Sequence, residues 1–126
     1  MNSNKIICAL DFDDLSNAVN FVSKINYDIV FKVGMEFFYN FGLEGINAIR
    51  KKKPGIKIFL DLKLHDIPNT VAKSLFPLIE NIRPYMITLH VSGGSAMLKE
   101  SVNVVDHICK KHNLKKPIML GVTILT

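Results

Sequence analysis

Short β-rich runs and longer helical periods alternate along the whole chain, and no other feature constrains the fold as much. Ile6 to Leu10 reads as a strand, and Leu15, Ala18, Val22 and Ile25 then recur at helical spacing. Ile29 to Val33 reads as a second strand, followed by Phe38, Phe41, Gly45 and Ile49 on a second helix face. Pro54-Gly55 breaks that helix, and Ile56 to Leu62 gives a third strand. Val71, Leu75, Leu78 and Ile82 mark a third helix, stopped at Arg83-Pro84. Met86 to Val91 reads as a fourth strand, Leu98, Val102, Val105 and Cys109 as a fourth helix stripe, and Pro117 to Leu125 as a fifth strand.

Strict β-α alternation implies parallel strands joined by helical crossovers. The two architectures of this kind are an open doubly wound sheet and a closed (β/α)8 barrel. No Gly-x-Gly-x-x-Gly follows the first strand, which weakens the dinucleotide-binding form of the open sheet. Side chains alternate faces along a strand. Ile7, Ala9 and Asp11 share one face, as do Val30 and Lys32, Phe59, Asp61 and Lys63, and Thr88 and His90. Each of four consecutive strands thus ends in a polar or charged residue aligned with its inward set. Barrel enzymes build their sites at that end, from several strands. The expected fold is α/β: an incomplete (β/α)8 TIM-type barrel of about five strands and four helices, with residues 1–126 as part of a single domain.

Of the 126 residues 48% are hydrophobic and 21% charged, so a packed core is expected rather than disorder. The net charge of +5 is carried almost entirely by lysine. Lys51-Lys52-Lys53, and Lys110-Lys111 with Lys115-Lys116, fall where helices end, and cations there complement the helix dipole. They read as solvated helix ends, and no nucleic-acid-binding signature accompanies them. Cys8 and Cys109 form no paired motif; Cys8 sits in an apolar run and reads as a buried thiol, suiting a reducing compartment. The N-terminal apolar run is short and ends in Asp11, Asp13 and Asp14, so neither a signal peptide nor a membrane partner is expected.

Asp61 and Lys63 are expected side by side on one strand face, with Lys32 reaching Asp61 from the next strand and Asp66 just beyond. A closed acid-base array needs its charges paired, because an isolated buried charge is very costly. Neighbouring carboxylates hold a lysine charged and ready to donate a proton. A carboxylate beside a substrate anion is relieved when that anion departs as neutral CO2, so the array suits decarboxylation with lysine protonating the carbanion. The plainer possibility is a structural ion-pair network. Asp66 would then be an N-cap for the helix opened by Pro68, His65 a loop histidine, and His90 a hydrogen-bonded core or rim residue. Ser92-Gly93-Gly94-Ser95 reads as a tight turn into a helix. No His, Cys and acid set has metal-ligand spacing, and no metal is expected.

The segments Leu10-Asp11-Phe12, Phe31-Lys32-Val33-Gly34, Phe59 to Thr70 (Phe-Leu-Asp-Leu-Lys-Leu-His-Asp-Ile-Pro-Asn-Thr), Thr88 to Gly94 (Thr-Leu-His-Val-Ser-Gly-Gly) and Gly121 to Thr126 (Gly-Val-Thr-Ile-Leu-Thr) occur in that order. Together they resemble bacterial orotidine 5'-phosphate decarboxylases, cytoplasmic enzymes that make UMP in pyrimidine synthesis. The block from Phe59 to Thr70 is the specific one. The resemblance implies that Asp11 and Lys32 contact the ribose region, with Lys32 also in the charged network. It makes Asp61 the carboxylate beside the departing CO2, and Lys63 the proton donor to the pyrimidine carbon. Asp66, Ile67 and Thr70 resemble residues lent across a homodimer interface to the partner's site, and Thr126 matches a pyrimidine-ring contact. It implies orotidine 5'-phosphate as the ligand and no cofactor or metal, with rate enhancement resting on preorganised charge and on phosphate binding energy. A sister family of metal-using sugar-phosphate decarboxylases and aldolases shares the Asp-x-Lys-x-x-Asp spacing but usually lacks the block His65 to Thr70.

A (β/α)8 barrel takes about 250 residues. In the resembling family an arginine and backbone amides near the last strands grip the substrate phosphate, and a flexible loop closes the site. The sequence runs only to a fifth strand. The expectation is therefore a fragment or split product of a decarboxylase, weakly active or inactive alone, or a protein completing its barrel with another chain. A non-catalytic dimerising module using Asp66 to Thr70 is the rival reading.

Overall fold

The computed structural model describes residues 6–126 and divides them into two compact units, one reaching to Asp61 and the other running from Leu62 to Thr126.

The first unit holds strand β1 (Ile7–Ala9), helix α1 (Leu15–Lys24), strand β2 (Val30–Gly34), helix α2 (Met35–Lys52) and most of strand β3 (Lys57–Leu64). The strands are parallel, with Ala9 beside Lys32, Lys32 beside Phe59 and Gly34 beside Asp61. Asp14 starts α1: its carboxylate accepts the Asn17 amide at 2.8 Å, satisfying one of the orphan donors of the first turn. Ala18 and Val22 are fully buried on α1, as the spacing predicts. On α2 the buried positions are Phe37, Gly45, Ile46 and Ile49, whereas Phe38 and Phe41 are only half-buried. The reason is Gly42, at φ 55° and ψ −148°, a conformation that kinks the helix and resets the phase of its apolar stripe. The strand core of the unit is Val30, Phe31, Val33, Ile58 and Leu60, each 1% exposed or less. Cys8 is not buried as the apolar run led one to expect. It lies in β1, which among the described residues pairs with β2 alone, and is half-exposed.

The second unit holds the end of β3, helix α3 (Pro68–Pro77), a π-helical turn (Leu78–Ile82), strand β4 (Met86–His90), a short 3-10 turn (Val91–Gly93), helix α4 (Gly94–Lys111) and strand β5 (Ile118–Val122). β4 and β5 run parallel, Thr88 beside Leu120 and His90 beside Val122. α3 packs on α4. Val71, Leu75 and Ile82 are buried as the spacing predicts, while wider π winding after Pro77 buries Ile79 and leaves Leu78 half-buried. Arg83, at φ 48°, ends the segment in the left-handed region ahead of Pro84. On α4 the buried positions are Met97, Ser101, Val105, Ile108 and Cys109, while Val102 is exposed. A buried serine hid the true stripe: the Ser101 hydroxyl donates to the Met97 carbonyl at 2.7 Å, which makes its burial affordable. The lysines expected at helix ends are there, Lys51 and Lys52 in the last turn of α2 and Lys110 and Lys111 in that of α4.

The observed pattern is thus five parallel strands and four helices, a partial (β/α) barrel fold. Among the described residues no helix is long and apolar enough to cross a membrane.

Candidate active site

In the first unit three of the sequence candidates converge. Parallel pairing sets Lys32 two residues before Gly34, which pairs with Asp61. From there the Lys32 ammonium reaches the Asp61 carboxylate at 3.5 Å. Asp61 is 7% exposed and the Lys32 side chain 27%, so the carboxylate is held inside and the ammonium at its rim. A Cβ on Gly34 would stand 3.9 Å from both Asp11 Oδ1 and Lys32 Nζ. The charged heads of Asp11 and Lys32 therefore both lie within ordinary contact distance of the side-chain position at Gly34. The chain after β1 is tied to the same place, since the Leu10 amide donates to the Lys32 carbonyl at 2.9 Å. Gly34 was recognised in the sequence only as part of a matching block. Its place beside the charged heads of Asp11 and Lys32 is visible only once β1 and β2 are paired.

In the second unit the end of β3 departs from regular strand. Lys63 has φ 49°, so simple two-residue alternation stops there, and the direction of its side chain is not set by the pleat. Its amide donates to the hydroxyl of Thr88, a residue 3% exposed, at 2.9 Å. His65 stacks on His90 with ring centroids 5.0 Å apart and planes 30° apart. The His90 Nδ1 meets the Ser92 hydroxyl at 2.5 Å, so it is a hydrogen-bonded rim residue. Asp66 is not the N-cap of α3. Ile67 takes that position with Pro68 at the first turn, because a proline at N1 puts the cap one residue before it. Asp66 instead accepts its neighbour's amide, Ile67 N, at 2.7 Å.

His65, Asp66, Ile67, Pro68 and Gly93 line a shallow depression of about 510 Å³. Gly93 belongs there on steric grounds: a Cβ would stand 2.3 Å from the Met97 sulfur and 3.5 Å from the His65 ring. Ile67 is 65% exposed, and Thr70 lies exposed in the first turn of α3, its carbonyl accepting the Ser74 hydroxyl. Thr126 is exposed beyond the end of β5. Among the described residues no group of three or more His, Cys, Asp or Glu side chains is placed to hold a metal ion. Chemically, the first unit offers a buried carboxylate paired with a lysine, and the second a lysine whose amide is hydrogen-bonded to Thr88.

A family model described as "Orotidine 5'-phosphate decarboxylase / HUMPS family" matches residues 4–126. The orotidine 5'-phosphate decarboxylase of Carboxydothermus hydrogenoformans is 46% identical over 126 residues, covering 98% of this chain and 50% of the relative. Among solved structures, orotidine 5'-phosphate decarboxylase from Lactobacillus acidophilus superposes with a TM-score of 0.83 at 37% identity, over 98% of this chain and 54% of that one. The orotidine 5'-monophosphate decarboxylase from Methanocaldococcus jannaschii complexed with inhibitor BMP gives a TM-score of 0.72 at 28% identity, over 97% and 53%. The chain spans about half the length of the curated relatives it matches.

Proposed function

Because this chain belongs to the orotidine 5'-phosphate decarboxylase / HUMPS family, we propose that it carries the charged half of a decarboxylase active site and that the protein converts orotidine 5'-phosphate to UMP in pyrimidine biosynthesis. The observation that carries this reading is the Lys32–Asp61 pair, a carboxylate 7% exposed and 3.5 Å from an ammonium. Asp61 sits where the substrate carboxylate is held, and the repulsion between them is relieved as that group departs as CO2. The electron pair left on the pyrimidine carbon takes a proton from the Lys63 ammonium. Asp11 and Lys32, whose charged heads lie beside Gly34, bind the ribose. Thr126 contacts the pyrimidine ring. Fixed charges of this kind need no reorganisation during the reaction, and that is their contribution to rate.

Asp66, Ile67 and Thr70 complete the partner's site in a cytoplasmic homodimer. The exposure of Ile67, 65%, supports an interface role for an aliphatic side chain. Ile67→Asp is therefore expected to shift the protein toward monomer in sedimentation experiments, with its helical circular dichroism unchanged.

The activity is tested by incubating the chain with orotidine 5'-phosphate, alone and combined with the C-terminal half of a family member, and following loss of substrate absorbance. A parallel incubation uses a sugar-phosphate carboxylate with a divalent metal. Turnover of the first substrate supports the reading, and turnover of the second alone replaces it with the sister chemistry. A folded, dimeric chain that turns over neither leaves the interaction-module reading in its place.

A further inference from the structure

Lys63 occupies a conformation that its sequence does not favour. It lies within β3, yet its φ is 49°, in the left-handed region that a lysine seldom adopts and that crowds its Cβ against the backbone. Such residues persist where surrounding groups over-determine them. Here the surrounding group is identifiable. The Lys63 N–H points to Thr88 Oγ1 at 2.9 Å, so a side-chain hydroxyl serves where a sheet would ordinarily offer a backbone carbonyl. Thr88 is well placed to impose a geometry. It is 3% exposed, sits in the middle of β4, is held in register against Leu120 of β5, and as a β-branched residue has a stiff χ1. The His65–His90 stack ties the residue just after β3 to the end of β4, each ring two residues beyond Lys63 and Thr88.

We propose that Thr88 is a positioning residue for Lys63, its hydroxyl holding the lysine backbone in the left-handed conformation that aims the ammonium. This rests on the reading of Lys63 as proton donor given above. On this reading Thr88 acts through Lys63.

The test compares Thr88→Val, which keeps shape and removes the acceptor, with Thr88→Ser, which keeps the acceptor. The first readout is the three-bond amide–Hα coupling of Lys63 by NMR on the full chain, together with exchange of its amide, and it needs no substrate. The native chain and Thr88→Ser should show the smaller coupling of a left-handed residue and a protected amide. Thr88→Val should show the larger coupling of extended backbone and faster exchange. The second readout is turnover of orotidine 5'-phosphate by the chain combined with the C-terminal half of a relative. There Thr88→Val should lower kcat roughly 10- to 100-fold, as a small misplacement of a reacting group does, with KM unchanged, and Thr88→Ser should restore it. An unchanged coupling in Thr88→Val overturns the proposal, as does an unchanged kcat in an active preparation. A native preparation that never turns over contradicts the decarboxylase reading, while the coupling still decides whether Thr88 sets the Lys63 backbone. If Thr88→Val does not fold, Thr88→Cys, similar in size and a weak acceptor, replaces it with the same outcomes.

Discussion

Lys32 does two things at once, and a single substitution separates them. It neutralises a carboxylate that is 7% exposed, and its ammonium lies beside Gly34 near Asp11. Removing a partner from a buried charged group leaves desolvation uncompensated. Lys32→Ala should therefore cost about 1–3 kcal/mol in a urea titration, a range for losing one hydrogen-bonded partner of a charged group. The cysteines give a pH-dependent counterpart. Burial pushes the Cys109 thiol up, Asp106 adds to the rise and Lys116 opposes it. The folded chain then keeps a proton that the unfolded chain has lost, so stability present at neutral pH falls as pH climbs above about 8.5, the ordinary thiol range. Chemical denaturation across that range should show a shallower fall for Cys109→Ala than for the native chain. Much of the charge pattern was legible in the sequence, since Asp11, Lys32 and Asp61 each stand two residues after an apolar residue of the same strand face, Ala9, Val30 and Phe59. The left-handed turn at Lys63 was not legible, because nothing local to a Leu-Lys-Leu strand signals it; the acceptor lies on another strand.

Among the elements, type and order were readable, and helix phase was readable in part: Ala18, Val22, Ile49, Val71, Leu75, Ile82 and Val105 are buried as their spacing predicts, while other stripe positions are not. Each of the three misread stripes has its own cause. Gly42 resets α2, the π turn after Pro77 resets the continuation of α3, and a buried serine at Ser101 disguises the stripe of α4. These are departures from ideal 3.6-residue winding or from apolar-means-buried, and periodicity alone assumes neither. Gly42 offers the sharpest check. A Cβ there meets nothing within 4 Å, so sterics against neighbours do not matter. Its φ of 55° with ψ of −148° does matter, being a conformation reserved for glycine. Gly42→Ala is expected to destabilise the protein by about 1–3 kcal/mol through backbone strain alone, read from the thermal midpoint. A neutral result would mean that α2 straightens without penalty.

For the whole molecule, β-α alternation in the sequence was sufficient to reach five parallel strands and four helices, because crossover connections leave few other arrangements. Membership of the decarboxylase family rests on a match over residues 4–126, and the chain spans about half the length of its curated relatives. The central claim is that the β3 segment around Asp61 and Lys63 performs the chemistry, and carbon release tests it most directly. The measurement is labelled CO2 liberated from carboxyl-labelled orotidine 5'-phosphate by the chain combined with the C-terminal half of a relative, native against Lys63→Ala. The account predicts release by the native chain and a fall of about 10²- to 10⁴-fold in the variant, the range for losing a positioned proton donor. Equal release from the two would contradict it.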